Sequence, residues 1–258
     1  MALERGPLRV ASPGHAVFAA VLIALGVVGL LEGTFMPVWA PVGRDVPGRE
    51  VLIYLSAAVS LTSGAGLLVR RAAYPAARQL LACLVLWLLA FRVPPIVHAP
   101  ATILTWDGAA ETTAVVAGAW VLYAWFAGDR ARRVLAGEVG IAIARGLYGL
   151  ALVPFGLAHL GYIDQTAPLV PGWIPWHVAW AYITGIAFLA AGAAVLTGVC
   201  ARLAAALSAL QIGLFTLLVW IPVVAAGGAR PDLWSELGIS AAITAAAWLV
   251  ADSYRVTR

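Results

Sequence analysis

Eight apolar stretches separated by short polar breaks make up most of this chain. They run at roughly 14–34, 51–70, 77–98, 111–127, 141–161, 178–198, 202–225 and 237–252. A helix needs about 20 residues to cross the hydrocarbon core of a bilayer, and most of these runs have that length. Lipid offers no partner to backbone N–H and C=O groups, so a chain of this kind must satisfy them internally. The expected fold is all-α: a polytopic membrane protein with eight transmembrane helices. Composition agrees, with 63 % hydrophobic and 11 % charged residues, where soluble domains carry roughly 25 % charged.

The stretches repeat. Tyr54, Gly64, Pro94, Trp106 and Trp120 recur 128 positions later as Tyr182, Gly192, Pro222, Trp234 and Trp248. A gapless offset among residue types as sparse as Trp and Pro reads as two tandem copies of one membrane unit. Residues 1–128 form the first four-helix repeat, 129–140 a basic linker, and 141–258 the second repeat. An even number of helices per copy gives both the same orientation, so the repeats are parallel. The run at 14–34 follows Arg5 and Arg9 as in a signal peptide, but its counterpart at 141–161 assigns it to the fold.

All sixteen basic residues are arginine. Twelve of them lie at the termini, in the even-numbered loops or near the start of the fifth run. Only Arg44, Arg49, Arg92 and Arg230 lie toward the other side, which carries eight of the twelve acids. The excess of arginine predicts cytoplasmic termini, with the bacterial inner membrane as the expected location. Arginines confined to short loops do not point to nucleic acid. Cys83 and Cys200 fall at different expected depths, so no disulfide is expected.

The candidate chemistry gathers at the loop ends remote from the termini. Aligning Gly29 with Gly156 sets Glu32 opposite His159, and the same offset of 127 sets Glu50 opposite His177. If the copies pack about a pseudo-twofold axis, two carboxylates and two imidazoles converge there as acid–base groups. Such a set suits a transition metal such as zinc, iron or manganese. The alternative is a wet interfacial pocket whose side chains bond to loop backbone. Arg92 closes the run Leu-Ala-Cys-Leu-Val-Leu-Trp-Leu-Leu-Ala-Phe, and arginine near membrane depth is normally paired. Glu32 or Glu50 is the expected partner, with His98 a turn beyond and an anionic or carbonyl-bearing head group as the ligand. Trp173 and Trp176, flanked by Pro171 and Pro175, belong to an aromatic belt or cap a cavity.

At these residues the second half resembles the DoxX family of bacterial four-helix membrane proteins. The likeness rests on Arg145-Gly146-Leu147-Tyr148-Gly149, on Gly156-Leu157-Ala158-His159, on Pro175 through Ala181-Tyr182-Ile183-Thr184-Gly185 to Gly192, and on Ala201-Arg202-Leu203-Ala204-Ala205. The first half joins it only through the repeat, with Phe18 near the place of Arg145. The resemblance implies a four-helix unit and, for some relatives, quinone-linked redox chemistry. The expectation is a membrane protein holding a quinone-like or lipid-like molecule near the outer leaflet, in contact with membrane lipid and with a redox partner protein supplying electrons. A non-redox enzyme acting on a lipid or isoprenoid through paired carboxylates, and a non-catalytic subunit of a membrane complex, are the alternatives.

Overall fold

The computed structural model describes residues 10–127, 135–227 and 231–256. Within the expected linker, residues 129–134 lie outside the described residues, as do Arg5, Arg9, Arg130, Arg132, Arg133, Arg230 and Arg258. Every regular element among the described residues is helical. Eight helices are long and apolar enough to span a bilayer: α1 (Pro13–Glu32), α2 (Arg49–Leu68), α3 (Ala73–His98), α4 (Ile103–Ala127), α5 (Gly137–Gly161), α6 (His177–Thr197), α7 (Ala201–Gly227) and α8 (Leu233–Arg255). The protein is a multi-pass membrane protein. Local signals set the ends of α1. The Ser12 hydroxyl accepts the His15 N–H at 3.1 Å, Pro13 opens the first turn, and Gly33 closes the helix at φ 60°. α4 and the membrane span of α8 begin earlier than the apolar runs suggested, at Ile103 and Leu233 rather than near 111 and 237, and the helix that carries the latter span starts at Pro231.

Consecutive helices pack in chain order within each half. Between the halves, α1 lies along α8, α5 lies along α4, and α4 lies against α8. Each half's first helix therefore closes on the other half's last. At the α4–α8 contact, a Cβ added to Gly118 would stand 2.8 Å from the Ala246 Cα. Without a hydrophobic force between helices in lipid, small residues of this kind permit close approach. Gly118 and Ala246 are 128 positions apart, the offset at which Tyr, Gly, Pro and Trp recur in the sequence.

The same offset recurs in the backbone. α3 carries a π-helical turn at Leu88–Arg92, and α7 carries one at Thr216–Trp220. Pro94 and Pro222 follow these turns. A proline has no N–H for the carbonyl four residues earlier, here Ala90 and Leu218, and each of those lies inside its π turn. The widened turn thus sits where the α-helical bond is missing.

Candidate functional site

The site lies at the end of the bundle remote from the termini, the distal end. Its frame is the first two turns of α4, Leu104-Thr105-Trp106-Asp107-Gly108-Ala109-Ala110-Glu111-Thr112. Helical spacing stacks Asp107 over Glu111 and, on the neighbouring stripe, Gly108 over Thr112. Glu111 sits about 12 Å along the helix from Ile103. Ionisable residues at such positions in a span are costly and face a protein interior or a wet cavity.

Arg92 comes to the second of these stripes from the last position of the α3 π turn and is 6 % exposed. Its Nε donates to Thr112 Oγ1 at 3.0 Å. Its Nη2 stands 4.0 Å from Glu111 Oε2. A Cβ on Gly108 would come within 3.1 Å of Nη1, so the absent side chain at 108 leaves room for the guanidinium. The partner of Arg92 is therefore Glu111, not Glu32 or Glu50.

Asp107 and Glu111 also face a cavity of about 830 Å³ enclosed by α4, α5, α6, α7, α8 and the loop from Tyr162 to Ile174. Its walls are mostly apolar, with rings from Phe155, Phe188 and Phe215. Its polar groups include Asp107, Glu111, Glu236 and His159. Ile183, Leu210 and Leu214 of α6 and α7 belong to the wall and are exposed. The cavity is thus partly open along α6 and α7. Among the described residues, no three His, Cys, Asp or Glu side chains stand close enough together to hold a metal ion.

His159 is fixed by its neighbours. Its Nδ1 lies 2.8 Å from the Phe155 carbonyl oxygen. A carbonyl only accepts, so Nδ1 carries a proton, and in the neutral ring Nε2 keeps a lone pair. The ring stacks on Phe215 at 5.8 Å and meets Phe188 edge-on at 5.3 Å between centroids. In α7 the hydroxyl of Thr216 lies 2.7 Å from Ser240 Oγ and 3.0 Å from Thr244 Oγ1, which binds the π turn to α8.

The convergence of Glu32, Glu50, His159 and His177 does not occur. α1 and α5 are separated by α4 and α8. Glu32 and Glu50 are exposed at the ends of α1 and α2, and His177, half-buried, opens α6 outside the cavity wall. His159 alone of the four reaches the cavity. His98 is exposed at the end of α3, and Trp173 and Trp176 are exposed and absent from the cavity wall. Arg92 stands behind Glu111 rather than in the wall.

The arginine of the Arg-Gly-Leu-Tyr-Gly stretch works at the opposite end. Arg145 donates from Nε to Ser253 Oγ at 3.0 Å and from Nη2 to the Ser253 carbonyl at 2.7 Å. It also lies 3.8 Å from the centre of the Tyr254 ring. Buried Tyr148 shares a 2.8 Å hydrogen bond with Ser208. These residues tie α5 to α8 and α7. No family model, curated protein or solved structure matches the chain.

Proposed function

We propose that this membrane protein binds a quinone-like or lipid-like amphiphile drawn from the bilayer through the opening between α6 and α7. The observation that carries this reading is the cavity itself. It combines a volume of about 830 Å³, aromatic walls and a few polar groups, among them three carboxylates and one imidazole. Small-molecule sites of several hundred Å³ with apolar walls and few polar groups have this character. The apolar body lies among Phe155, Phe188 and Phe215, and the head turns toward Asp107, Glu111, Glu236 and His159. Three carboxylates beside one shielded arginine favour a head that donates hydrogen bonds or carries positive charge. The anionic head group expected for Arg92 fits poorly, because that guanidinium is already engaged by Thr112 and Glu111.

Within this reading both termini are cytoplasmic, the cavity lies in the outer leaflet of a bacterial inner membrane, and the two halves are duplicated units of DoxX type. As part of a redox system it would take a quinol, whose hydroxyl groups suit the acceptors at the cavity, and a partner protein would carry the electrons. The test is native mass spectrometry of the protein released from membranes, with solvent extraction alongside. An amphiphile bound at one equivalent and lost in Ala187→Trp, which fills the cavity wall, is the expected result. Wild-type protein that repeatedly carries no such species would overturn the reading.

A further inference from the structure

In the first half, a loop side chain is buried at the place that corresponds by the 128-residue offset to part of this cavity's wall. Phe188 and Phe215 of the wall correspond at the 128-residue offset to Ser60 and Trp87. Trp39 occupies the space against those two residues. Its indole N–H donates to Ser60 Oγ at 2.8 Å, and its ring meets Trp87 edge-on at 5.1 Å. The Trp87 indole N–H in turn donates to the Trp39 carbonyl at 2.8 Å. Trp39 is 1 % exposed, and Met36, Val38 and Val42 are buried with it. The loop between α1 and α2 therefore folds into the bundle. The loop between α5 and α6 leaves its tryptophans outside, Trp173 at 73 % and Trp176 at 79 % exposure.

We infer that Trp39 is a built-in occupant of the first half's site, and that the open site of the second half takes a planar aromatic ring bearing an N–H or O–H donor. The inference rests on the binding reading above and narrows its ligand. Phe215 stands where Trp87 stands and offers a ring face or edge, and aromatic pairs prefer such tilted or offset contacts. The acceptor has moved. Phe188 replaces Ser60, so the hydroxyl that receives the Trp39 N–H has no counterpart. The lone pair on His159 Nε2, whose imidazole lies against both Phe188 and Phe215, takes that place. The ligand is thus an indole-like or phenol-like ring whose donor turns toward His159.

The experiment titrates the full chain in lipid nanodiscs, freed of co-purified amphiphile by detergent exchange, with 5-fluoroindole and reads the bound fraction by fluorine NMR. Wild type is expected to bind one equivalent. Trp39→Ala is expected to bind two, and Trp39→Phe, which keeps a ring in the slot, one. His159→Phe is expected to weaken binding about tenfold, the loss of one hydrogen bond of roughly 1.4 kcal/mol, and Ala187→Trp to abolish it. Absence of saturable binding to wild type overturns the inference, and so does an unchanged count in folded Trp39→Ala. If Trp39→Ala does not fold, binding unaltered by both His159→Phe and Ala187→Trp overturns it. A protein that still carries its co-purified amphiphile but ignores fluoroindole sinks this inference and leaves the binding reading standing.

Discussion

Removing Arg92 should expose how strongly the distal end depends on one buried cation. In Arg92→Met the aliphatic bulk stays while two polar contacts go, the 3.0 Å bond to Thr112 and the 4.0 Å approach to Glu111. At 4 Å, opposite unit charges attract by about 1 kcal/mol in water and by about 4 kcal/mol at an effective dielectric of 20. Arg92 is nearly enclosed, but 27 % of the Glu111 side chain is exposed, which favours a value between those limits. Breaking a fully buried pair from one side costs roughly 3–5 kcal/mol. With Glu111 partly wet, about 2 kcal/mol is expected for Arg92→Met. Glu111→Gln should cost a similar amount, because it leaves the more deeply buried partner uncompensated. The double variant should cost less than the two added together, with a coupling of about 1.5 kcal/mol. Equilibrium unfolding in bicelles by steric trapping measures all four corners of the cycle. Costs that add within about 0.5 kcal/mol would mean two independent sites, and the pairing argument would fail. Arg92→Lys should recover only part of the loss, since one ammonium on a flexible stem cannot reproduce the planar fork held between Thr112 and Glu111.

The remaining predictions address packing and backbone. Gly108→Val sets a side chain where Nη1 lies, 3.1 Å from an added Cβ, so Arg92→Met should cost much less in that background than in wild type by the same unfolding assay. Gly118→Ala forces a methyl to 2.8 Å from both the Cα and the Cβ of Ala246 and should destabilise by about 1–3 kcal/mol; Ala246→Gly, which removes the Cβ and leaves the Cα, should restore part of that stability. Exposed Cys200 holds φ 51° at the start of α7, a region that costs most residues roughly 1–2 kcal/mol and that asparagine tolerates better. Cys200→Asn should therefore raise the melting temperature by about 2–4 °C, and an unchanged or lower value in a thermal-shift assay would refute the strain argument.

The number and kind of the helices were legible in the sequence because period and length are averaged over a whole span. The ends of α4 and α8 were not, and the reason bears on function. Asp107 and Glu111 depress the apolarity of the first turns of α4, and Glu236 does the same in α8. A reading based on apolar runs therefore stops at about 111 and 237, while the helices start at Ile103 and Pro231. The residues that hid the helix ends are the ones facing the cavity. Two carboxylates four residues apart inside a membrane helix were the signal that could have found them, and the sequence reading passed over it. The arithmetic that set Glu32 opposite His159 used an offset of 127 and drew from it a contact that the fold does not make. Equivalent positions in two halves meet only near the contact between them, and here that contact runs through Gly118 and Ala246. Residues at the ends of α1 and α5 lie far from it. The π turns were also out of reach, since one extra residue per turn leaves no mark on hydropathy, although Pro94 and Pro222 stood beside both.

The two halves share backbone features at a fixed offset and differ in a few interior side chains, and those differences account for one filled and one open interior. Where the second half has Phe188, Phe215, Trp220 and Glu236, the first has Ser60, Trp87, Arg92 and Gly108. Ser60 gives the loop tryptophan an acceptor, and Gly108 gives Arg92 a seat. Both changes turn polar groups of the first half inward, onto partners within the protein. In the second half the ring at 188 removes the acceptor that would draw a loop residue in, and Glu236 stands at the wall with no glycine seat beneath it. α4 belongs to both arrangements: Gly108 and Thr112 receive Arg92 on one stripe, while Asp107 faces the cavity on the next and Glu111 touches both. A ligand that draws on Glu111 therefore competes with Arg92 for the same carboxylate, so occupancy of the second half should be felt in the stability of the first. Ligand binding in Arg92→Met should accordingly show weaker coupling to stability than in wild type, and equal coupling in the two proteins would mean that Glu111 serves Arg92 alone.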